Sequence, residues 1–262
     1  MMRLSASALL FFLAALPLCA QDNYEIQVYG SETVEPGVTM GEIHSNFTFN
    51  GSKDTSNGQV PTNHALHETA EITHGFNNWF ETGFYIFTSY NPNYGYGWVG
   101  DHIRPRVRVP ESWKWPVGAS LSIEFGYQRA KYNGGDTWNI EFRPIIDKQL
   151  GKLYLAFNPA VERTLHGPGV HDGLGFSPAF KAGYDFSKVV NAGIEYYGSL
   201  GSFNGFDAIG DQEHQIIPAI DLNFSKNWEF NAGLGVGVTH NTDHLVAKFI
   251  LGRRFEFGHR KP

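Results

Sequence analysis

The run His102-Ile103-Arg104-Pro105-Arg106-Val107-Arg108-Val109 alternates a charge-capable side chain with an apolar one at every step. A helix would scatter those arginines around its girth. A strand sends Arg104, Arg106 and Arg108 to one face and Ile103, Pro105, Val107 and Val109 to the other. Outward from this run the pattern repeats: Leu121, Ile123, Phe125 and Tyr127 interleave with Ser120, Ser122, Glu124 and Gln128, and Trp138, Ile140, Phe142 and Ile146 interleave with Asn139, Glu141, Arg143 and Asp147. Such a sheet has one face for hydrocarbon and one that is ionic, as in a transmembrane barrel.

Counted this way, residues 39–257 hold about twelve strands, an even number as single-chain bacterial barrels have. Short connections are expected near 75–78, 110–117, 148–151, 186–188 and 225–227, and longer ones near 50–63, 91–100, 131–136, 164–173, 200–212 and 241. Short turns on the periplasmic rim and longer loops on the outer rim complete the predicted closed antiparallel transmembrane β-barrel. All six tryptophans, Trp79, Trp98, Trp113, Trp115, Trp138 and Trp228, fall at predicted strand ends, where interfacial belts form. A soluble sandwich would instead turn its polar residues outward. Pro105, Pro144, Pro159, Pro178 and Pro218 lie inside predicted strands, where bulges or breaks are expected.

The start of the chain reads as an address. Met1, Met2 and Arg3 precede an apolar run ending at Leu18-Cys19-Ala20, a leader too short to span a bilayer and cut after Ala20. Cys19 is the one cysteine, so the exported chain holds no disulfide and no thiolate metal site. The net charge is −6; removal of the leader with Arg3 makes it −7, which excludes the basic excess of a nucleic-acid binder. Residues 21–38 stand apart from the strands, as a periplasmic extension, a thirteenth strand or a piece folded into the lumen. Residues 258–262 form a tail.

The predicted lumen carries Glu71, Glu81, Arg104, Arg106, Arg108, Glu124, Glu141, Arg143, Lys181, Glu195, Asp221 and Lys248. Antiparallel pairing sets Lys181 opposite Glu195 and Arg104 opposite Glu124. Two readings follow: a network that braces a narrow barrel, or a selective pore whose arginine row attracts anions. Gly233, Gly235 and Gly237 leave inner room on their strand. No catalytic residue, cofactor site or metal site is assigned. His166, His171, Asp172, His240, Asp243 and His244 fall in outer loops without a Gly-x-Ser-x-Gly element, and metal at His166, His171 and Asp172 is the minor reading.

Near the C-terminus, Gly252, Phe255 and Phe257 form a Gly-x-x-aromatic-x-aromatic pattern that resembles the assembly signal of bacterial outer-membrane barrels, although five residues follow it. Over its whole exported length the chain resembles the transporter-like outer-membrane barrels grouped with the meta-pathway phenol-degradation proteins. That resemblance implies a small barrel of a diderm bacterium, with outer-membrane lipid and the barrel-assembly machinery as partners. The expected function is a narrow channel for small polar or aromatic solutes; the alternatives are a lipid-modifying or hydrolytic enzyme and a sealed structural barrel.

Overall fold

The computed structural model describes residues 23–55 and 58–256. The leader 1–20, Phe257 and the tail lie outside the described residues. Twelve long strands of 10 to 14 residues follow one another: β1 Val38–Asn50, β2 Leu66–Asn77, β3 Phe80–Asn91, β4 Gly95–Arg108, β5 Gly118–Gln128, β6 Thr137–Leu150, β7 Leu153–His166, β8 Leu174–Asp185 and β9 Val190–Ser199. After a two-rung ladder, β10 Gly201–Ser202 with β11 Gly205–Phe206, come β12 Glu213–Leu222, β13 Trp228–Gly237 and β14 Leu245–Glu256. Each long strand pairs antiparallel with its neighbour, β8 meets β9, and β1 meets β14, so the sheet closes without an edge. Closure leaves no unpaired strand to solvate in lipid, which permits this architecture in a membrane.

Side-chain direction follows the alternation. Ile103, Val107, Phe125, Phe142 and Ile146 are exposed on the outer wall, while Arg104, Arg106, Ser122, Glu124 and Arg143 are buried inside. One closed sheet with an apolar outside excludes the two-layer sandwich. The tryptophans sit at the strand ends, and Trp98, Tyr127, Trp138 and Phe125 pack into one cluster beneath the outer loops.

Connections depart from expectation at one place. The long loop expected over 91–100 shrinks to residues 92–94, because the Gly95-Tyr96-Gly97-Trp98 run stays in β4, entered through Gly95 at φ +76°. The loops at 51–65, 129–136, 167–173, 200–212 and 238–244 share that rim.

Of the bulges or breaks expected at the prolines, the ladders show breaks and no bulge. Register shifts occur at Thr48/Asn50, Gly75/Asn77, Phe87/Thr88 and Trp138/Asn139, and none occurs at an in-strand proline. On the β4–β5 side the ladder passes from Ile103↔Phe125 to Arg106↔Ser122 in unchanged register, skipping Pro105. The β6–β7 ladder skips between Phe142↔Val161 and Ile146↔Phe157, where Pro144 and Pro159 share one gap, and Pro159 pairs with Pro178 on the far side. A proline lacks its N–H toward one neighbour alone, so stacking prolines abreast confines the lost bonds to few sites while the rigid ladders on either side hold the register.

Candidate functional site

Residues 23–37 run through the inside of the barrel as an extended segment. At the rim of the longer loops Asn23 Nδ2 donates to Asp243 Oδ2 at 2.9 Å, and Asn46 Nδ2 donates to the Asn23 carbonyl at 2.9 Å. At the opposite rim Val34 N–H donates to Glu81 Oε2 at 2.6 Å and Gly37 N–H to the Gly75 carbonyl at 2.7 Å. Gly37, at φ +78°, then turns the chain into β1, a conformation that costs glycine nothing.

A buried backbone needs partners, and this segment has no sheet to join. Barrel side chains supply them. Thr69 donates to the Tyr24 carbonyl at 2.6 Å, Lys248 to that of Ile26 at 3.0 Å, and Arg106 to those of Gly30 and Glu32 at 3.2 and 2.6 Å. Asp147 accepts from the Ser31 N–H at 2.9 Å and from its hydroxyl at 2.7 Å. Asn158 makes both bonds to the Tyr29 peptide groups.

Apolar contacts fix the same path. Ile26 and Val28 pack with Ala156, Ala179, Tyr197, Ile217, Ala219 and Val246, while Tyr24 joins Tyr85, Phe87 and Val99. Each such full burial of an aliphatic side chain is worth about 1.5–3 kcal/mol. The lumen along the segment therefore mixes apolar side chains with charged ones, which alternation alone does not reveal. The inner room at Gly233 and Gly235 is taken by Ile217, 2.6 and 3.1 Å from where their Cβ atoms would stand.

The twelve charged residues predicted for the lumen fall into linked groups. Arg104 donates to Glu71 at 2.6 Å and Arg106 bonds Glu81 at 2.7 Å; Arg108 reaches the exposed Glu111 at 3.0 Å. Arg143 pairs with Glu141 at 2.7 Å and with Glu25 of the segment at 3.6 Å. Across the barrel Lys181 holds Glu195 at 3.2 Å and Asp221 at 2.7 Å, and Lys248 also bonds Glu195. Lys181 does stand opposite Glu195 in the ladder.

The unchanged β4–β5 register does set Arg104 across from Glu124, but their charged groups bond other partners. Glu124 is bonded by His102, and Arg104 reaches across β3 to Glu71 instead. Gly83 opens that route: a Cβ there would lie 3.2 Å from Arg104 Nη2 and 2.8 Å from Thr73 Oγ1. The arginine row consequently presents no array of free guanidinium groups to an anion. Tyr85 faces Arg104 at 5.3 Å, and the Tyr29 ring lies 4.7 Å from the Arg104 guanidinium carbon, 5.7 Å from that of Arg106 and 5.3 Å from that of Arg143 on β6.

Two cavities flank the segment on the β4–β8 side. One, of about 400 Å³, reaches toward the longer loops and is lined by Glu25, Glu124, Glu141, Arg143, Glu162 and Asp172 among others. The second, of about 610 Å³, lies toward the other rim and includes Gly30, Ser31, Glu32, Lys114, Asp147 and Tyr154. Along the segment Tyr29, clipped to Asn158, falls between Glu25, which lines the first, and Gly30, which lines the second.

The loop residues do other work. Asp243 accepts from Asn23, from Thr48 at 3.2 Å and from Thr62 at 2.6 Å, anchoring the segment's end. His240 faces the exposed Asp211 at 3.3 Å. Among the described residues, the histidine and carboxylate side chains that converge within metal-binding reach are Glu42, His44 and Glu71, and not His166, His171 and Asp172. Period-two reading puts Glu42 and His44 on one face of β1, but nothing in the sequence pairs them with Glu71. The threading of residues 23–37 likewise had no local signal: Asn158 reads as one more polar lumen residue until its partner is seen.

Gly252 points inward, where a Cβ would meet Met40 Cε at 2.6 Å, Glu42 Cγ at 3.0 Å and Glu229 Cβ at 3.3 Å; Phe255 is exposed on the outer wall.

No family model matches the chain, and no curated protein matches it. Among solved structures it is similar to the KdgM porin in complex with disordered oligogalacturonate, at 13% identity over 84% of this chain and 99% of that one, with a TM-score of 0.49. It is also similar to the translocator domain of the autotransporter NalP from Neisseria meningitidis, at 8% identity over 86% and 90%, with a TM-score of 0.46. The β domain of the Bordetella autotransporter BrkA gives 13% identity over 85% and 100%, with a TM-score of 0.46. The likeness is to outer-membrane β-barrels, and it is one of fold.

Proposed function

We propose that this chain is a channel of the bacterial outer membrane for small polar solutes, closed along its axis by its own residues 23–37. The observation that carries the reading is that one buried segment borders both cavities, with Glu25 on one and Gly30, Ser31 and Glu32 on the other. Displacing the segment joins the two spaces. Outer-membrane lipid contacts the apolar wall, and Gly252, Phe255 and Phe257 serve recognition by the barrel-assembly machinery. Small aromatic solutes are assayed beside the polar ones.

The reading is non-enzymatic. Of the loop acids, Asp243 has both oxygens engaged by Asn23, Thr48 and Thr62, and Asp211 faces His240 as an exposed pair. A brace-only barrel is the competing reading, favoured by the dense pairing around Glu71, Glu81 and Glu195. Planar-bilayer conductance separates them. The full chain is expected to conduct weakly, and a chain lacking residues 23–34, or carrying Asn158→Ala with Asp147→Asn, to conduct at least several-fold more. If both variants fold, by far-ultraviolet circular dichroism, and neither conducts more than the full chain, the channel reading fails.

A further inference from the structure

Glu42 and His44 are two residues apart on β1 and share its inner face; Glu71 lies directly opposite Glu42 on β2. Alternate residues of one strand and the facing residue of the next converge on a point above the sheet, held by a continuous hydrogen-bonded ladder. All three side chains are buried. Glu71 Oε1 accepts from Arg104 and from Thr73, each at 2.6 Å, which fixes the carboxylate and leaves Oε2 facing His44 Nε2 at 3.4 Å. Two ligands about 2.1 Å from a shared tetrahedral ion stand about 3.4 Å apart. Glu71 Oε2, Glu42 Oε1 and His44 Nδ1 have no hydrogen-bond partner among the described residues, and one donor atom from each residue lies within 4.8 Å of the other two.

Charge points the same way. Glu71 and Glu81 are paired with Arg104 and Arg106, whereas Glu42 has no cation at ion-pair distance among the described residues. An unpaired buried carboxylate is costly unless a counter-charge arrives.

We propose that Glu42, His44 and Glu71 bind a divalent transition-metal ion inside the barrel wall. One imidazole and two carboxylates suit Zn²⁺ or Mn²⁺, with water completing the coordination. Because the ligands are buried, the ion enters as the barrel folds and leaves slowly afterwards. The rival occupant is a proton on Glu42.

The test is to unfold the protein in chelator, refold it in detergent with Zn²⁺ or Mn²⁺, remove excess metal and measure metal per folded barrel. One ion per barrel is expected for the natural chain, with a raised thermal midpoint. Glu42→Gln, nearly isosteric, and His44→Ala are each expected to lower the content at least tenfold. His240→Ala, at an exposed loop histidine, is expected to leave it unchanged. Uptake of neither metal by the folded natural chain, or undiminished content in folded Glu42→Gln, overturns the proposal. Conductance plays no part in the readout, so it stands or falls apart from the channel reading.

Discussion

Asn158 on β7 grips Tyr29 from both sides of its backbone: Oδ1 accepts the Tyr29 N–H at 2.7 Å, and Nδ2 donates to the Tyr29 carbonyl at 3.0 Å. One side chain thus does for the threaded segment what a neighbouring strand does in a sheet. Asn158→Ala strands two buried backbone groups, at about 1–3 kcal/mol each. The loss is expected to be local. Amide hydrogen exchange should rise over residues 28–32 while the barrel strands keep their protection.

The outer wall gives a sharper test of what surrounds it. Ile194 lies mid-strand in β9 with its side chain outside. In lipid, Ile194→Arg is expected to cost about 2–4 kcal/mol, the midplane value for a charged substitution on a barrel exterior. Equilibrium unfolding from bilayers measures it, and a near-neutral effect would mean that the wall does not face hydrocarbon.

Gly252 separates two roles for the C-terminal pattern. Gly252→Val pushes a side chain against Met40, Glu42 and Glu229 and is expected to destabilise the folded barrel by about 1–3 kcal/mol through overpacking. Phe255→Ala, on the exterior, is expected to slow assembly in cells with a smaller effect on unfolding of the purified barrel. The comparison of assembly yield with unfolding midpoint distinguishes packing from signalling.

Ion preference follows from the outer cavity. Glu124, Glu141, Glu162 and Asp172, which stay when the segment leaves, border it against Arg143 and His102, so the balance is acidic. Once the segment is displaced, the reversal potential across a KCl gradient should show K⁺ favoured over Cl⁻. Glu162→Gln with Asp172→Asn should shift that potential toward zero; a preference for Cl⁻ from the start would revive the arginine row as the selectivity element.

One loop carries a pH dependence. The backbone N–H of Ala130 and the Tyr127 hydroxyl both donate to Asp136 and hold its carboxyl below the ordinary aspartate value of 3.8. A lowered folded pKa means these bonds support the 129–136 loop above the unfolded value and are lost as pH falls through the folded one. Exchange of the Ala130 amide, corrected for intrinsic rate, should therefore quicken below that range, and Asp136→Asn should weaken the pH dependence.

The strands, their faces and the aromatic belts were legible because each follows from a period of two and from the contrast between hydrocarbon and water, both local properties of the chain. Even the order of strands needed no tertiary information, since short antiparallel connections leave little choice. Partner choice inside the barrel was not local. Arg104 takes Glu71 rather than Glu124 because Gly83, on the strand between, has no side chain in the way. The path of residues 23–37 and the meeting of Glu42, His44 and Glu71 likewise depend on which inner faces curvature brings together. By itself the sequence determined a barrel wall facing two solvents. Only closure of that wall decided what its interior holds, because side chains far apart along the chain become neighbours there through packing and charge rather than through any repeat.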